Sequence, residues 1–258
     1  MLNNYLLPLL LFIPGSVPVY LLSVKYKLNL SKLEIIELGS IFWNFLLVGF
    51  GYIVGILSYS IREFFMFFTI LSLSFLIYGG YYLVTRKKLS EIHFKINSGD
   101  LLLLISLISF VILIFTLTIT HSTFIEYDGI FLYLPSAKSI AETGGLQWDY
   151  YHQPGLTTTV SPASPIIYAL LNYFYGSSAT DFELALRRIS SFYVLLTAIL
   201  VYLISREISE DSTISTIASL CFLSMPVISA IASNYSLYLD IPFTYLLFVD
   251  MLILLKIH

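Results

Sequence analysis

Apolar runs of helical length alternate with short polar breaks along this chain. A hydrocarbon core of about 30 Å takes about 20 residues of helix to cross. That yardstick predicts seven spans, near Tyr5–Val24, Ile35–Ser60, Phe64–Val84, Leu101–Thr120, Ile189–Ser205, Ile214–Ser233 and Ile241–Ile257. The first carries Pro8, Pro14, Gly15 and Pro18, kinks that a membrane helix tolerates where neighbours satisfy the freed carbonyls. A shorter run, Ile166–Tyr175, opens on Ser164-Pro165 and stops at Gly176. At roughly 16 Å it is too short to cross, so it is expected to lie at the interface with Tyr168, Tyr173 and Tyr175 toward the headgroups. A second interfacial helix is expected over Ile130–Thr143, where apolar residues cluster at helical spacing before Gly144-Gly145. The predicted fold class is an all-α polytopic membrane helix bundle of about seven transmembrane helices, two interfacial helices lying in its first large extracytoplasmic loop. Residues 1–100 hold three spans and a basic cytoplasmic loop, and residues 101–258 hold the remaining module with its loop 121–188.

Composition strengthens this reading. Apolar residues make up 58% of the 258 and charged ones 11%, against about 25% charged in soluble domains. Twenty Tyr and twenty Phe suit many helix ends at headgroup level. A net charge of −3 leaves no nucleic-acid footprint. Cys221, the single cysteine, has no disulfide or metal-site partner and reads as a packing residue. The opening MLNNYLLPLL lacks a basic n-region and a small-residue cleavage site, so the first span is expected to be retained.

Lys and Arg set the orientation. With Arg86, Lys87, Lys88 and Lys95 cytoplasmic, single crossings also bring Lys25, Lys27, Lys32, Arg206 and Lys256 inside, nine of the 13 basic residues. Arg62, Lys138, Arg187 and Arg188 fall outside with the 121–165 loop, the segment 176–188 and the loop near Asn234–Asp240.

Candidate chemistry gathers in that outer loop. Asp128 stands where the chain leaves the membrane; it either caps the helix that follows or accepts a proton from an attacking hydroxyl. Trp148, Tyr150, Tyr151 and His152 form an aromatic group able to stack on a sugar or to sit in an interface belt. Arg187 offers a two-pronged phosphate contact, or else it snorkels to headgroups with Arg188. Asp250, midway along the last span, is a functional candidate or a protonated or paired bundle residue. Glu34 and Glu37 read as structural, and the scattered His93, His121 and His258 suggest no metal site.

Four stretches in order carry a family resemblance. They are Asp128, Tyr133, Ala137 and Ala-Glu-Thr-Gly at 141–144; PASPIIYALLNYFYG at 162–176; ELALRRISS at 183–191; and NYSLYLDIPFT at 234–244. Together they resemble the GT-C membrane glycosyltransferases, which include dolichyl-phosphate-mannose protein mannosyltransferases and aminoarabinose transferases. The resemblance spans about Leu101 to Lys256 and implies catalytic roles for Asp128 and Asp240. It implies substrate contacts from Glu126, Tyr133, Trp148, His152 and Arg187. Many relatives carry a second acid directly after the first, where this chain has Gly129, with Glu126 two residues earlier; the metal-independent branch is the nearer match, and no metal or other cofactor is expected.

The implied activity is inverting transfer of a sugar from a polyprenyl-phosphate carrier to a protein, lipid or glycan hydroxyl on the extracytoplasmic face. The setting is multi-pass, in the cell membrane or an endoplasmic-reticulum equivalent, among membrane lipids. A transporter or lipid flippase, and a non-catalytic subunit, are the alternatives; no internal symmetry of the transporter kind is visible. Because GT-C proteins generally run longer, the chain is expected to be an N-terminal portion.

Overall fold

A computed structural model describes residues 11–85, 98–120, 134–146, 163–175, 179–228 and 240–257. The described residues are helical, with no strand among them. The helices are α1 (Ser16–Tyr26), α2 (Lys32–Ile56), α3 (Ile61–Thr85), α4 (Ser98–Thr120), α5 (Leu134–Thr143), α6 (Ala163–Tyr175), α7 (Ala179–Ser209), α8 (Ser212–Ser224) and α9 (Asp240–Ile257). Three stretches among them, Lys32–Ile56, Ile61–Tyr82 and Ile189–Ser209, are long and apolar enough to cross a membrane.

Local sequence explains where these helices begin and end. Ser31 and Glu34 form a reciprocal capping box at the start of α2, the Glu34 carboxylate accepting the Ser31 N–H at 2.6 Å. Asp211 caps α8 by accepting the Thr213 N–H at 2.6 Å. Gly144, at φ 75°, closes α5 in the left-handed conformation that favours glycine.

The first helix breaks where proline and glycine predicted a kink. The Ser16 N–H binds Ile13 O at 2.9 Å instead of the carbonyl of Phe12, the partner an unbroken helix would use. Two polar side chains of α2 take up the exposed carbonyls: Ser40 Oγ donates to Phe12 O at 3.1 Å and Asn44 Nδ2 to Leu11 O at 3.2 Å. This is the compensation that a broken helix needs where water is excluded. Small residues permit the approach, since a Cβ on Gly15 would stand 1.9 Å from Gly39 O.

The long helices bury one side and leave another apolar and bare. Trp43 packs against Phe68 and Phe75 and donates to Ser72 Oγ at 3.1 Å. Phe45, Ile53, Phe67, Ile70 and Ile77 face outward, a surface that suits lipid contact.

Two expectations require correction. The sixth predicted span, Ile214–Ser233, is interrupted: α8 ends at Ser224 because Met225 turns extended ahead of Pro226, residues 226–228 are helical again, and 229–233 lie outside the described residues. Tyr168 does not face outward: it is 2% exposed within a buried run from Ile166 to Leu171, while Tyr173 is 38% exposed. The run packs among α5, α2 and α7, so burial between helices outweighs a headgroup position for the ring.

Candidate functional site

The bundle has two chemically distinct ends. At one, Lys256 pairs with Glu34 at 2.9 Å and with Glu207 at 3.0 Å, drawing together α9, α2 and α7. At the other, the outer turn of α2 meets the loop helices: Gly51 lies against Ile166 and Gly55 against Leu146. Ile61 N–H donates to Gly144 O at 2.8 Å, and Arg62 Nε donates to Ala141 O at 2.8 Å while Nη2 donates to Glu142 O. Arg62 thereby supplies donors and positive charge to the C-terminus of α5.

Helices α7 and α9 run parallel, because Tyr193 meets Tyr245 with ring centroids 5.8 Å apart and Glu207 meets Lys256 farther along. Arg187 lies six residues before Tyr193, and Asp240 opens α9 five residues before Tyr245. These offsets are about 9 Å and about 7.5 Å at 1.5 Å per residue. The two backbones therefore stand at nearly one height, on the side of the tyrosines away from Lys256. Gly51, seven residues past Asn44 and so about 10 Å beyond it, brings the first buried turn of α6 to the same level; Tyr193 Oη donates to Asn44 Oδ1 at 3.1 Å.

Of the sequence-predicted site residues, Arg187 and Asp240 have described backbones but not described side chains. Asp128, Glu126, Tyr133, Trp148 and His152 lie outside the described residues. No family model, curated protein or solved structure matches the chain.

Glu37, read as structural from sequence, belongs to a buried polar group that sequence reading did not assemble. Glu37, Ser40 and Asn44 line one face of α2 toward α7, α9 and the break in the first helix. The Tyr245 hydroxyl donates to the Glu37 backbone carbonyl at 3.0 Å. Glu37 itself is 0% exposed, and neither carboxylate oxygen has a hydrogen-bond partner among the described residues. Glu34 has the structural role expected of it, in the capping box and the ion pair; Glu37 has no such anchor. Its signal was readable as polar residues at i, i+3 and i+7 inside an apolar span. Asp250 points outward, exposed like Leu246, Leu247 and Met251 of the same helix.

Proposed function

We propose that this chain is a multi-pass membrane glycosyltransferase of the GT-C type, with seven spans and its chemistry at the end away from Lys256. The observation that carries the reading is the common height of Arg187, Asp240 and the buried start of α6. Two residues singled out from separate stretches of sequence thus meet one level of the bundle, beside the loop helices. The three helices long and apolar enough to cross a membrane support the setting.

In this reading the acceptor hydroxyl attacks the anomeric carbon of a sugar held on polyprenyl phosphate. Asp128 takes the hydroxyl proton, the new glycosidic bond forms with inversion, and the bond to phosphate oxygen breaks. Arg187 offsets the charge left on the phosphate, and Asp240 positions the acceptor. Glu126, Tyr133, Trp148 and His152 line the path of sugar and acceptor. No metal is assigned a step.

The test is transfer of a labelled sugar from polyprenyl phosphate by the protein in proteoliposomes. Asp128→Asn abolishes transfer and leaves membrane insertion unchanged; substantial residual transfer removes Asp128 from its role. A transporter or flippase is the second reading, favoured by the broken first helix beside a buried carboxylate. Carrier movement across the bilayer without sugar transfer would select it.

A further inference from the structure

We infer that Glu37 is a binding site for a small monovalent cation, proton or sodium, set in the half of the bundle nearer Lys256. An ionised carboxylate wholly removed from water requires a compensating positive partner. The nearest ion pair does not supply one. Glu34, one turn away on α2, takes the Lys256 ammonium together with Glu207 of α7. The polar groups near Glu37 on the packed helices are instead uncharged. Tyr245 of α9 reaches its backbone carbonyl; Tyr193 of α7 lies against Tyr245 and donates to Asn44; Ser40 and Asn44 follow on α2. A carboxylate oxygen is a ligand that suits hard cations, and a helix broken beside the site is a recurrent setting for them inside membranes. The break is held by Ser40 and Asn44 on the same face as Glu37, so occupancy at the carboxylate and the seating of the first helix share one set of side chains.

The site does not rest on sugar transfer, and its test makes no use of it. The full chain in lipid nanodiscs is treated with dicyclohexylcarbodiimide, which modifies protonated carboxyl groups in apolar surroundings, across a pH series with sodium or choline chloride. Glu37 is expected to be modified, with labelling falling several-fold as pH rises; a further several-fold fall in sodium identifies sodium as a ligand, and none identifies the proton alone. Thermal unfolding of the unmodified protein gives a second reading: its midpoint shifts with the same cation, and Glu37→Gln removes the shift. Labelling absent, or indifferent to both pH and sodium, together with a midpoint indifferent to both, would overturn the proposal.

Discussion

Tyr193 and Tyr245 meet edge to face, with ring centroids 5.8 Å apart, and this contact aligns α7 with α9. The pair fixes the relative height of everything along those helices. It sets the Arg187 and Asp240 backbones at one height at one end, and at the other Glu207 pairs with Lys256. Both hydroxyls then reach across to α2, at Asn44 and Glu37.

Asn44 joins three segments, so its loss should cost more than an ordinary membrane hydrogen bond, which is worth only about 0.6 kcal/mol on average. Asn44→Leu leaves Leu11 O and the Tyr193 hydroxyl without their described partner. Each buried group left unmade costs about 1–3 kcal/mol. Unfolding in detergent should show a loss near that size, while Ser74→Ala, which removes only an exposed bond to Ile70 O, should change little.

Gly15 and Gly39 set how closely α1 approaches α2. A methyl group at Gly15 meets backbone, which cannot swing aside. Gly15→Ala should destabilise by about 1–3 kcal/mol through overpacking. Gly49→Ala, with nothing within 4 Å of its Cβ position, is the matched control and should be neutral or mildly stabilising by helix propensity.

Arg62 holds the end of α5 against the start of α3. Arg62→Met keeps much of the side chain's apolar bulk and removes both hydrogen bonds to the α5 carbonyls. A loss of about 1–3 kcal/mol is expected for bonds from a charged donor. Limited proteolysis should become faster within residues 141–146, and unchanged cleavage there would remove Arg62 from this role.

Much of the helical layout was legible because single apolar runs dictate it. The bounds of α2 and α3 depart from the expected Ile35–Ser60 and Phe64–Val84 by only a few residues, and Gly144 ends α5 where glycine was expected to end it. The kink of the first helix was legible from Pro14 and Gly15; the identity of its compensating groups was not, since Ser40 and Asn44 meet it only through tertiary packing. Tyr168 was misplaced for a similar reason: length shows that α6 is short, but not that neighbours surround it. Glu37 was read as structural together with Glu34, but only Glu34 caps the helix and enters an ion pair, and the full burial of Glu37 comes from tertiary packing. Of the candidate site, sequence supplied Arg187 and Asp240, and only the parallel course of α7 and α9 gives them a common height.

The central claim is that Asp240 and the α5–α6 loop share one face of the membrane, opposite the basic end. Accessibility of single cysteines in intact cells tests it most directly, using a Cys221→Ser background because Cys221 is itself exposed. A membrane-impermeant maleimide should modify Glu142→Cys and Asp240→Cys from outside, and Lys27→Cys only after permeabilisation. Modification of Glu142→Cys and Asp240→Cys from opposite faces would contradict the account.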